Sequence, residues 1–175
     1  MFPAGPRIVF PQVCHARDLP GPARARLSAA LPDRDPAVRA AAARALGRTR
    51  DPAALAPLVA AFERWLEPDV AAALGDLGQP GAAVPLATAL VGRRAGSDPA
   101  LAAAAVVAIS RVGGRRELDA VAFALDHPAP DVRARAVAAA RALGGTRARG
   151  LVEERRRDFA LVVREAVDRA VSSWQ

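Results

Sequence analysis

Apolar positions along this 175-residue chain recur at helical spacing, in short stretches broken at regular intervals. Leu55, Leu58, Val59 and Phe62 fall at i, i+3, i+4 and i+7, and Leu118, Val121, Ala122 and Leu125 repeat the spacing, so each set lines one face of an α-helix. Helix starts recur as Asp35-Pro36, Asp51-Pro52, Glu67-Pro68, Asp98-Pro99 and Ala129-Pro130. An Asp carboxylate accepts hydrogen bonds from the free N–H groups of a first turn, and Pro at the first helical position forfeits no intrahelical bond. Leu46-Gly47, Leu77-Gly78, Val112-Gly113 and Leu143-Gly144 read as the stops, with Gly in the left-handed cap conformation. The pattern predicts a leading helix near 22–31, then pairs at 36–47 with 52–66, 68–78 with 81–91, 99–112 with 116–126 and 130–144 with 147–157, and a last helix at 159–174. That last helix gathers Phe159, Val162, Val163, Ala166, Val167, Ala170, Val171 and Trp174 on one stripe. Its other face offers i,i+4 ion pairs from Arg164 to Asp168 and from Glu165 to Arg169.

The stretches are copies of one unit. At an offset of 31 residues, Pro99, Leu101, Ala105, Val106, Val112 and Gly113 meet Pro130, Val132, Ala136, Val137, Leu143 and Gly144, and Leu46-Gly47 meets Leu77-Gly78. From Gly78 to Gly113 the step is 35, which predicts a longer loop at 91–98. A single helical hairpin cannot cover its own apolar stripe, so the units must stack and share one core along the array. Leu101, Val106, Val132, Val137 and Val163 are expected in that core. Alanine supplies 45 of the residues, which favours helices and lets facing helices approach closely. The expected fold is an all-α superhelix of about four to five helical hairpins over residues 21–175, after an irregular Pro-rich segment at 1–20. There Pro3, Pro6 and Pro11 interrupt every apolar run, which argues against a signal-peptide core or a spanning segment.

In the sequences DPAVRAAAARALG at 35–47 and PDVRARAVAAARALG at 130–144, the chain resembles the HEAT-like repeats first described in phycobilisome lyases and common in bacterial adaptor proteins. The resemblance spans roughly residues 21–175. It implies a solenoid whose second helices, at 52–64, 81–91, 116–126 and 147–157, line a concave surface. Two units depart from the pattern: the second has a short turn at Gln79, Pro80 and Gly81, and the fourth has a weakly apolar second helix with Gly150 inside it.

Charge narrows the range of partners. All 25 basic residues are arginine, and the net charge of +7 is divided as +5 over residues 1–64, −3 over 65–92 and +5 over 93–175. That alternation, with aromatic residues at only 4 %, disfavours nucleic acid, whose binders concentrate basic charge on one face. The absence of lysine excludes both a phosphate-loop lysine and a Schiff-base lysine. Cys14, the single cysteine, can form no internal disulfide and suits a reducing cytoplasm. Cys14-His15 is read as a plain segment packing on the first helices, since side chains of adjacent residues point apart. His127 is read as a solvent-facing turn residue. No catalytic set, metal site or cofactor site is expected, and Trp65 and Trp174 are read as core-closing residues at helix ends.

The hairpin turns are basic in three units of four: Arg48 and Arg50, Arg115 and Arg116, Arg147 and Arg149. Stacking would bring these six arginines onto one edge as a partner-binding surface. The turns between hairpins are acid-rich, at Asp33, Asp35, Glu67, Asp69, Asp126, Asp131 and Asp158, which helix capping accounts for. At a hairpin turn one helix ends as another begins, so the dipole ends nearly cancel and leave the arginines without such a reason. Arginine offers bidentate hydrogen bonds to carboxylates and phosphates, so the edge suits a protein with an acidic surface. The segment at 7–13 is β-prone and flanked by prolines, and it is expected to pack along the first repeat. The expected function is a non-catalytic, membrane-free protein-interaction scaffold or adaptor. Its alternatives are a nucleic-acid-binding HEAT-like protein and a lyase-type accessory for a cofactor protein.

Overall fold

Proline opens the helices where the sequence places it. The computed structural model describes residues 21–174, apart from the side chain of Arg93. It contains α1 (Gly21–Ala30), α2 (Pro36–Thr49), α3 (Leu55–Trp65), α4 (Pro68–Leu77), α5 (Ala83–Val91), α6 (Arg93–Ser97), α7 (Pro99–Val112), α8 (Leu118–Ala124), α9 (Pro130–Leu143), α10 (Thr146–Glu153) and α11 (Leu161–Ser172). No strand occurs among the described residues. Tight 3₁₀ turns at Pro52–Ala54, Pro80–Ala82 and Arg115–Glu117 lead into α3, α5 and α8. Asp35, Asp51 and Asp98 each accept a hydrogen bond from a first-turn N–H, at 2.8, 2.9 and 3.0 Å. The irregular segment expected at residues 1–20, including Cys14 and His15, lies outside the described residues.

Helices α2, α4, α7, α9 and α11 pack side by side in one row, and α3, α5, α8 and α10 form a second row behind it. The core between the rows is continuous, and Leu101, Val106, Val132, Val137 and Val163 are all buried in it, as the repeat register requires. Small residues set the spacing of the first row. A methyl group added at Gly47 would lie 2.6 Å from the Ala73 carbonyl oxygen, and one at Gly75 would lie 2.8 Å from the Ala108 Cα.

That role for Gly47 corrects the reading of Leu46-Gly47 as a stop. Helix α2 continues to Thr49, and Arg50 takes the left-handed conformation, with φ 55°. Gly78 and Gly144 do occupy positive φ, at 73° and 72°. The loop expected at 91–98 is partly helical: α6 turns once and buries Ala95. The last helix starts at Leu161, so Phe159 precedes it and is exposed, as is Val162, while Val163, Ala166, Val167 and Ala170 are buried. Arg164 turns back to donate to the carbonyls of Asp158 and Phe159, at 2.8 and 3.0 Å, in place of the expected pairing with Asp168.

Candidate functional site

The two long edges of the array use their charges in opposite ways. Along the edge between hairpins, Arg39 and Arg133 occupy the same position in their repeats, and both are buried. Arg133 donates from Nε and Nη2 to the two oxygens of Asp158, both at 2.9 Å, and from Nη1 to the carbonyls of His127 and Pro128, at 2.8 and 2.9 Å. Arg39 engages Glu67 in the same way and donates to the carbonyls of Asp33 and Arg34. Each guanidinium thus ties its own turn to the next one along the array. An aromatic ring covers each: Trp65 lies 4.3 Å from Arg39, and Phe159 lies 4.5 Å from Arg133. Hydrogen bonds from Arg133 hold the Asp158 carboxyl below its ordinary range, against the opposing effect of burial.

This geometry revises the capping account of the acidic turns. Asp35 does accept a first-turn N–H group and Asp158 accepts the Ala160 N–H just ahead of α11, but Glu67 makes no such bond and spends its carboxylate on Arg39. His127 is buried, not solvent-facing: its Nδ1 accepts from the Ala129 N–H at 3.1 Å, and its Nε2 lies 3.2 Å from the Ala95 carbonyl. The insertion that forms α6 supplies that carbonyl, so ring and insertion lock together.

On the edge at the hairpin turns, all six arginines picked out by the sequence are exposed. Arg48 lies in the last turn of α2 and Arg50 caps it, Arg115 and Arg116 sit in the 3₁₀ turn before α8, and Arg147 and Arg149 lie in the first turn of α10. Arg115 runs against the following turn: a methyl group on Gly145 would lie 3.6 Å from its Nε. Arg115 and Arg116 therefore neighbour Arg147 and Arg149, whereas the uncharged turn of Gly78, Gln79, Pro80 and Gly81 separates them from Arg48 and Arg50. The six are not equally available. Arg147 pairs with Asp119, and Arg149 pairs with Glu153 at 3.1 Å. Arg48, Arg50, Arg115 and Arg116 form no ion pair among the described residues. The nearest acid to the first turn, Asp51, is held below its ordinary range by the Ala53 N–H and by Arg24, so its charge is already engaged.

The second row exposes large apolar side chains: Val84, 68 % exposed, beside this edge at the start of α5, and Val91 at 50 % and Phe123 at 48 %, at the far ends of α5 and α8. The sequence pointed to these helices as a surface but not to these residues. Phe123 is legible in hindsight, because it falls out of register with the buried Leu118, Val121 and Leu125. The outer face of the first row is different, with inter-helix pairs Arg44–Asp69 and Arg111–Asp76 laced across it. Trp65 is half-buried, and its ring meets Arg64 as well as Arg39. Trp174 packs partly buried against the core, as expected. No group of three His, Cys, Asp or Glu side chains suited to a metal occurs among the described residues, and no described helix is long and apolar enough to cross a membrane.

Residues 18–73 match a family model for HEAT repeats, which makes α1 to α3 and the first part of α4 similar to that family. No curated protein matches the chain.

Proposed function

We propose that this chain is a non-catalytic scaffold or adaptor that binds an acidic protein surface along its hairpin-turn edge and the adjoining second-row face. HEAT repeats generally mediate protein–protein interaction, which supports the broad class. The observation that carries the specific surface is the contrast between edges. Arg39 and Arg133 are buried and satisfied within the fold, whereas Arg48, Arg50, Arg115 and Arg116 are exposed and unpaired among the described residues. Arginine presents a planar fork to carboxylates, Val84 provides apolar area beside it, and Val91 and Phe123 continue that area along α5 and α8. With a single cysteine, the chain suits a reducing compartment such as the cytoplasm.

Charge reversal tests the reading. Rim charges act on association rate and salt dependence, so Arg115→Glu with Arg116→Glu slows capture of the native partner and flattens its salt response while the melting temperature stays near wild type. Capture at the wild-type rate by a normally melting double variant would remove these arginines from the interface. Tight binding of duplex DNA that weakens steeply with salt would favour the nucleic-acid reading instead.

A further inference from the structure

We propose that copies of this chain associate head to tail, the α11 side of one copy docking on the α1–α2 turn of the next through Arg164 and Asp33. A clasp joins neighbouring repeats within the fold, and its two halves lie open at opposite sides of the described array. Arg164 falls 31 residues after Arg133, one repeat on, and takes the same posture. Its Nη1 donates to the carbonyls six and five residues back, those of Asp158 and Phe159. Nη1 of Arg133 does the same to His127 and Pro128, and Nη1 of Arg39 to Asp33 and Arg34. In Arg39 and Arg133, Nε and Nη2 then grip the carboxylate of the following turn, Glu67 and Asp158. In Arg164 those two nitrogens meet no acceptor among the described residues, so a fork already oriented by its third nitrogen is left free for a carboxylate.

The other half of the clasp stands in the α1–α2 turn. Asp33 matches Asp158: each lies three residues ahead of a first-row helix, and each accepts the N–H two residues on, at 2.8 and 2.9 Å. Asp158 gives its carboxylate to Arg133, whereas Asp33 is exposed and forms no ion pair among the described residues. The flanking helices fit the same junction. Helix α11 packs on α9 and α10 with no described helix beyond it, while α1 holds the second-row place ahead of α2, as α10 does ahead of α11. Across the junction the rows therefore continue from α11 of one copy to α1 and α2 of the next. Charge also matches. One repeat on from the buried Val137, α11 exposes Asp168, with Glu165 one turn before it, so this face takes a charged neighbour and not a further apolar core. Helix α1 exposes Arg26, which has no ion pair among the described residues. A heterologous contact of this kind adds copies into chains or rings, and its exposed charges make it weaken with salt.

Sedimentation velocity of the full chain over a concentration series tests the contact. At low salt the wild-type sedimentation coefficient should climb with concentration past that of a dimer, and fall when salt is added. Arg164→Gln and Asp33→Asn should each weaken association about tenfold or more, the scale for losing a hydrogen-bonded charged partner, while melting near wild type. Asparagine at position 33 still accepts the Asp35 N–H, so that variant keeps its turn and decides the matter even if Arg164→Gln fails to fold. Mixed in equal amounts, the two folded variants retain one intact contact, Arg164 of one on Asp33 of the other, and should stop at a heterodimer. A wild-type chain that stays monomeric overturns the proposal, as does Asp33→Asn assembling like wild type. A mixture of folded variants that stays monomeric or grows beyond two copies overturns it as well.

Discussion

Arg133 and Asp158 show how a charged pair can serve the fold. Their side chains are 5 % and 6 % exposed, so removing one partner leaves the other desolvated and uncompensated. Arg133→Ala should lower stability by about 3 kcal/mol in denaturant melts. The pair also sets a pH dependence. Asp158 titrates below its ordinary range when folded, chiefly through its hydrogen bonds from Arg133. Its contribution is therefore complete above the unfolded value, about 3.9, and is lost as pH falls through the lower folded value. Thermal melts below about pH 4 should show a loss for the native chain that is smaller in Asp158→Asn; parallel acid profiles would place the acid sensitivity elsewhere. The buried role of Arg133 was not legible from charge alone, because an arginine in a basic chain reads first as a solvated one. The clue was positional: Arg39 and Arg133 fall at the same step of the two most similar segments, 35–47 and 130–144.

At the level of elements, glycine spacing decides how closely the first-row helices approach. Gly47→Ala improves helix propensity, yet its methyl group would press on the Ala73 backbone, so stability should fall by roughly 1 to 3 kcal/mol. A stabilised variant would show that α2 and α4 can separate freely. Leu101→Ala should cost about 2 to 4 kcal/mol, since Leu101 is fully buried within α7; a loss below about 0.5 kcal/mol would contradict its place in the core. Most elements were legible because starts and apolar spacing agree, as at Pro99–Val112. The failures have one physical theme. Gly47 looked like a stop because glycine favours positive φ, but here it permits close packing while Arg50 accepts the left-handed turn. The stretch at 91–98 looked like a loop because the repeat step lengthens from 31 to 35 there, yet burial of Ala95 and its contact with His127 hold one helical turn.

Across the whole molecule, the edge between hairpins is bound into the fold, while the hairpin-turn edge keeps four unpaired arginines facing outward among the described residues. The recurrence of arginine at three hairpin turns was legible in the sequence. The pairing of Arg147 with Asp119 was not, because the two meet only once α8 and α10 are placed, whereas Arg149 and Glu153 form an i,i+4 pair within α10. An amide hydrogen-exchange footprint of the intact chain with its native partner bound distinguishes the two faces. Binding at the hairpin-turn edge adds protection at the turns around Arg48–Arg50 and Arg115–Arg116, and along α5 and α8 near Val84, Val91 and Phe123. Protection confined to the outer face of the first row, around Asp76, Val107 and Arg111, with these turns unchanged, would contradict it.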